Sequence, residues 1–175
     1  NLFFEGSAHV PLLIMPPQGR SLPQNISVEA PADLVDLYPT ILAMAGLSSP
    51  VSVSGKNLLE PVPMDRMFFG NSLNKNFCVM EEKVKLVYSA VGDHVLLFDL
   101  TTDPMEQHNL AEDPAWQERK AKLWKLLLEH TAQYTPEALD EKGQFLTYEA
   151  PHFPGDVPGR WFGFHYHDYS VDTFH

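Results

Sequence analysis

Residues 67–100 read MFFGNSLNKNFCVMEEKVKLVYSAVGDHVLLFDL, and four short apolar runs stand out in them, at 67–70, 77–80, 85–91 and 95–100. Successive short strands joined by turns imply an antiparallel sheet. The stretch Val91-Gly92-Asp93-His94 separates the last two runs. Gly and Asp both tolerate positive φ, which a tight hairpin turn requires. Downstream, Asp113-Pro114 combines an N-cap residue with a proline suited to a first helical turn. Trp116, Leu123, Trp124, Leu127 and Leu128 follow at three-to-four spacing. That pattern predicts an amphipathic helix over 113–134, covering one face of the sheet.

Upstream the pattern changes. Residues 11–15 are an apolar run closed by Pro16 and Pro17. A run of this kind is expected to be a strand buried on both faces, as in a parallel sheet. In DLVDLYPTILAMAGL, Leu37, Ile41, Met44 and Ala45 recur at helical spacing. Asp36 is the expected N-cap, Pro39 falls in the first turn, and Gly46 is the expected terminator. Residues 48–65 carry Pro, Ser and Gly and read as a connector. After 134 the chain is rich in both proline and aromatic residues. Such a segment suits an extended tail laid over another surface. The expected organisation is therefore an α/β portion over 1–47, a connector over 48–66, a sheet-and-helix subdomain over 67–134, and a tail over 135–175.

The 175 residues include 12 Lys plus Arg against 23 Asp plus Glu, a net charge of −11. That balance argues against nucleic acid and against an anionic membrane surface, since both require basic patches. Cys78 is the only cysteine. No intrachain disulfide and no cysteine-based zinc site can form. The apolar run at 10–15 is far too short to span a bilayer.

Two stretches carry chemistry-bearing residues. In His165-Tyr166-His167-Asp168, a strand conformation would point His165 and His167 to the same side. Two imidazoles alone make a weak metal signal, and local hydrogen bonding is the plainer reading. In FDLTTDPMEQHNL (98–110), Asp99, Asp103 and Glu106 are hard-cation donors. The same carboxylates, with Asn109, also suit the N–H groups of a tight turn, and that structural reading is favoured.

Four segments, LFFEGSAHVPLLI, APADLVDLYPTILAMAGL, SGKNLLEPV and LLFDLTTDPMEQHNLAEDP, occur in that order over residues 2 to 113. Together they resemble the C-terminal third of a sulfatase of the alkaline-phosphatase-like superfamily. The resemblance implies an alkaline-phosphatase-like α/β parent. This chain would contribute an edge strand and helix of its α/β layer. It would add a small α+β lobe with a four-stranded antiparallel sheet and a C-terminal helix. It also implies hydrolysis of sulfate esters by a hydrated formylglycine, made from the Cys or Ser of a Cys/Ser-x-Pro-x-Arg motif. Cys78 is followed by Val79-Met80-Glu81 and does not match. The sulfate-contacting Lys of relatives falls five residues before the position of Glu5, ahead of Asn1. The calcium-binding Asp and Asn residues are expected upstream too. No catalytic or metal-binding residue is therefore expected in this chain, and the calcium ion would be held by the N-terminal sulfatase region.

The substrate-binding candidates are His9, Trp161, His165 and His167. His9 follows the matching Glu-Gly and is expected either to border the substrate pocket or to cap the strand and pack between lobes. The expected partners are the N-terminal sulfatase region and, for the parent, a sulfated small molecule or glycan. Two other readings stay open: part of a phosphonate or phosphodiester hydrolase of the same superfamily, and an interaction module without activity.

Overall fold

The computed structural model describes residues 3–15, 27–48 and 53–149. Trp161, His165 and His167 lie outside the described residues. The chain divides into two compact units, one of residues 1–10 with 69–175 and one of residues 11–68.

The first unit is built on a four-stranded sheet in the order β1 (Phe68–Ser72), β2 (Asn76–Glu81), β3 (Val84–Ser89), β4 (His94–Asp99). β2 and β3 run antiparallel, with Glu81 opposite Val84, which leaves Glu82-Lys83 as a two-residue turn. Both turn residues have positive φ, 50° and 64°, the twist that matches a hairpin to its strands. β3 and β4 are also antiparallel, and Gly92 and Asp93 between them take φ of 80° and 54°. The expected sheet and its Gly-Asp turn are thus present, with each strand shifted by a residue or two.

Helix α3 (Gln117–Tyr134) follows a 3-10 turn at Pro114–Trp116, and the Asp113 carboxylate accepts the Ala115 N–H at 2.8 Å. Its Leu123 and Leu127 pack with Val84, Leu86 and Tyr88 of β3 and Leu97 of β4 in one apolar cluster. Phe145 joins that cluster from beyond the helix. Its ring centroid is 4.6 Å from that of Tyr88. All six residues of β3 are buried, so the sheet is covered on both faces. The outer edge of β4 is closed by Asn109. Its Oδ1 accepts the N–H of Leu97 at 2.8 Å and of Ala111 at 3.0 Å. Filling an edge in this way removes a template for intermolecular pairing.

The second unit is organised differently. Helix α2 (Leu37–Ala45) ends at Gly46 with φ of 75°, as expected. Asp36 stands at the N-cap position of α2, as expected, but its side chain makes no cap bond to that helix. Its carboxylate instead accepts the N–H of Asp33 at 2.7 Å and of Lys56 at 2.7 Å, together with both terminal nitrogens of Arg66. Thr40 donates to the Asp36 carbonyl at 2.6 Å and accepts the Leu58 N–H at 2.9 Å. These bonds staple residues 56–58 to the helix. Gly55 lies so close that a Cβ there would stand 2.0 Å from the Val35 carbonyl oxygen.

The run at 11–15 is not a strand in this structure, and Leu12 to Met15 are exposed. A strand exists only through hydrogen bonds to a neighbour. No neighbouring strand pairs with this run among the described residues.

Candidate functional site

Alternation along β3 sends Val84, Leu86 and Tyr88 to the helix-covered face and Lys85 to the other. A lysine in the middle of a buried strand must find partners, because an unpaired ammonium is costly to bury. Lys85 is 2% exposed. Its Nζ donates to the carbonyl of Phe3 at 2.8 Å, to Glu106 Oε1 at 2.9 Å and to Glu5 Oε1. The second oxygen of Glu106 accepts the backbone N–H of Glu5 at 2.6 Å. The three protons of the ammonium thus meet three acceptors, two of them charged.

These partners bring the N-terminal segment onto the second face of the sheet. Short helix α1 (Glu5–Ala8) begins there, and Phe4 lies with its ring centroid 5.9 Å from that of Phe98. The Phe3 ring occupies the space beside Gly70, where a Cβ would stand 2.4 Å from it. His9 ends α1, and its Nδ1 is 3.0 Å from Glu5 Oε2. The imidazole itself is 79% exposed. Of the residues expected from sequence to meet substrate, His9 is therefore on the surface and oriented by a carboxylate.

Sequence reasoning missed Lys85 and Glu5, and it read Glu106 as a cation donor or, preferably, an acceptor for turn N–H groups, not as the partner of a buried lysine. The signal was present in part: Val84-Lys85-Leu86-Val87-Tyr88 places one charge inside an apolar run. Its partners, 80 and 21 residues away, leave no local pattern.

Asp99 and Asp103 take the turn role favoured from sequence. Asp99 accepts the Thr101 N–H at 2.9 Å, and Asp103 accepts the His108 N–H at 2.8 Å. For Asp103, partial burial acts to raise the carboxyl pKa. The N–H groups of His108 and Gln107 outweigh it and hold the group below its ordinary value. Cys78 sits within β2 and is fully buried, and burial pushes its thiol up to about 12. It is a poor nucleophile there.

Comparison with known proteins identifies the class of protein that carries this architecture. The family model for the C-terminal region of N-sulphoglucosamine sulphohydrolase matches residues 1–133, and the chain belongs to that family. It represents the C-terminal region of a sulfatase, within the alkaline-phosphatase-like superfamily. The chain is 34% identical over 127 residues to arylsulfatase K of Bos taurus, covering 62% of this chain and 23% of that protein. It is 28% identical over 138 residues to the uncharacterized sulfatase YidJ of Escherichia coli K12, covering 73% of this chain and 27% of that protein. A putative sulfatase from Bacteroides thetaiotaomicron, known as a crystal structure, is similar with a TM-score of 0.49 at 21% identity. That similarity covers 62% of this chain and 27% of the other. The chain thus spans about a quarter of the length of the relatives it matches.

Proposed function

We propose that the chain is the C-terminal part of an enzyme that hydrolyses sulfate esters. In this reading it supplies framework and part of the substrate rim, and the nucleophile comes from elsewhere. The family match over residues 1–133 carries the reading. Cys78 supports the framework role: it is sealed inside β2, and no Pro-x-Arg pattern follows it.

Calcium, which the family implies, finds no fitting donors in the described part of this chain. Asp99 and Asp103 are engaged by backbone N–H groups, and Glu106 by Lys85 and Glu5. Among the described residues no group of three or more His, Cys, Asp or Glu is placed to hold a metal. By family likeness the calcium ligands belong to the N-terminal sulfatase region.

The same reading makes residues 1–47 the end of an α/β core, 48–66 a connector, 67–134 the C-terminal subdomain and 135–175 a tail. The apolar run at 11–15 then becomes an edge strand once the N-terminal sulfatase region is alongside. The exposure of Leu12, Leu13 and Met15, at 45%, 93% and 85%, supports this, since isolated apolar strands need covering. His9 faces a sulfated small molecule or glycan, and Trp161, His165 and His167 contribute to the rim. Imidazoles suit sulfate and hydroxyl oxygens, and an indole suits a sugar face.

The test is an assay of purified chain with a chromogenic aryl sulfate and calcium. No turnover is expected. Turnover abolished by Cys78→Ala would overturn the framework reading. The chain joined to its preceding sequence is expected to hydrolyse the aryl sulfate. Preference for an aryl phosphonate over the sulfate would overturn the assignment of substrate class.

A further inference from the structure

We infer that Lys85 and Glu106 are positioning residues, a buried ion network that fixes residues 3–9 on the sheet and thereby sets where His9 stands. The inference rests on the reading of His9 as a substrate-facing residue.

The segment is held at five points. The Phe3 ring fills the space over Gly70, and the Phe4 ring packs near Phe98. The Phe3 carbonyl and the Glu5 carboxylate both accept from Lys85. The Glu5 N–H donates to Glu106. Only the last three involve charge, and all three converge on the Lys85–Glu106 pair, each of whose side chains is 3% exposed. Glu106 is delivered to this point with a backbone φ of 55°, uncommon for a residue with a Cβ. A strained residue persists where surrounding bonds over-determine it.

A helix as short as α1 has little stability of its own. An exposed Glu–His pair at i and i+4 orders its side chains weakly. Here Glu5 is already clamped, one carboxylate oxygen by Lys85 and its N–H by Glu106. Its second oxygen is thereby presented to His9 Nδ1 in a fixed place. That contact turns Nε2 away from Glu5, toward any sulfate or hydroxyl oxygen that approaches. Lys85 and Glu106 touch no substrate in this scheme. They act through Glu5 and His9.

Two variants probe the anchor from chemically different sides. Lys85→Met removes the charge while keeping side-chain length. Gly70→Ala touches no charge and displaces the Phe3 ring. In the 175-residue chain, amide exchange is read at Ser7, Ala8 and His9, whose N–H groups bond to Phe4 and Glu5 carbonyls. Both variants are expected to speed exchange there about tenfold or more, the scale of one lost charged hydrogen bond. Exchange at Leu86 and Leu97 in the sheet is expected to change less than at those three sites. Unchanged exchange at residues 7–9 in Gly70→Ala would overturn the anchor, even if Lys85→Met fails to fold.

In the longer enzyme, Gly70→Ala and His9→Ala are each expected to lower kcat/KM on a sulfate ester, on the order of tenfold for a displaced substrate-facing group. Combined, they are expected to cost no more than His9→Ala alone, because both act through one imidazole. Additive losses would overturn positioning through His9. Absence of sulfate-ester hydrolysis by the wild-type longer enzyme would overturn the functional reading and the His9 role, while exchange still decides the anchor.

Discussion

The two units of this chain keep opposite things inside. In the sheet unit the buried residues are mainly apolar, with Phe77, Leu86, Leu97, Leu123 and Leu127 at its centre. In the 11–68 unit the fully buried described residues are Asp36 and Thr40, both polar. Among the described residues, twelve of the eighteen exposed large apolar side chains belong to that unit, Ile41 and Leu13 among them. Burial of apolar area is the main favourable term in folding. The sheet unit therefore carries the means of its own stability. The 11–68 unit is held by a hydrogen-bonded ionic knot and leaves much of its apolar surface exposed.

The sharpest way to break this contrast is to truncate one apolar side chain in each unit. Leu97→Ala is expected to cost about 2–5 kcal/mol, since Leu97 is 0% exposed. Ile41→Ala is expected to cost less than about 0.5 kcal/mol in the same chain, since Ile41 is 61% exposed. Chemical denaturation followed by Trp fluorescence and by backbone circular dichroism measures both. Equal losses would mean that the 11–68 unit has an apolar core of its own.

Next in size is Arg66→Met. It leaves the Asp36 carboxylate buried without its cation, at about 1–3 kcal/mol or more for a charged group. The loss is expected in amide exchange at Lys56 and Leu58, whose N–H groups bond to Asp36 and Thr40. The sheet amides are expected to keep their protection. Global unfolding in this variant would show that the two units share one transition.

Acid offers a reversible version of the same experiment. Burial acts to raise the Asp36 carboxyl pKa, but the Arg66 hydrogen bonds, the N–H groups of Lys56 and Asp33, and the Arg66 charge outweigh it. The group is held below its ordinary value of 3.8. A lowered folded-state pKa contributes stability that is present above the ordinary value and lost as pH falls through the lowered one. Protection at Lys56 is expected to survive to pH 3.8 and collapse below it. Collapse well above that value would rule out Asp36 as the group responsible.

The smallest expected effect lies in the sheet unit. His130 stacks on Phe69 with ring centroids 3.9 Å apart, and burial lowers its pKa from 6.5. The unfolded chain then takes up a proton at a higher pH than the folded one does. Stability is expected to decline slightly as pH falls from 6.5 through the lowered value. His130→Phe is expected to flatten that slope in denaturant midpoints measured across the range. An unchanged slope would assign it to another group.

Much of the sheet unit was legible in its residues. The alternation in 67–100, the Gly92-Asp93 turn and the Asp113-Pro114 helix start are local signals, and each describes a geometry its residues prefer. The Glu82-Lys83 turn was not legible, because neither residue is a usual choice for positive φ. It is set by the register that buries β2 and β3. In the 11–68 unit, helix α2 and its Gly46 stop were legible. The role of Asp36 was not, because Arg66 stands 30 residues away. Of the candidate site, His9 could be named from its place after Glu-Gly, whereas the network that holds it could not.

The sequence by itself therefore determined the four sheet strands, helices α2 and α3, their order and the family, since these depend on periodicity, caps and short motifs. Only the tertiary structure decided which charge goes inside. Lys85 and Asp36 are buried because Glu5, Glu106 and Arg66, distant along the chain, arrive at hydrogen-bonding distance. Desolvating a charge is unfavourable until its partner is in place, so that outcome belongs to the assembled fold and to no local stretch of residues.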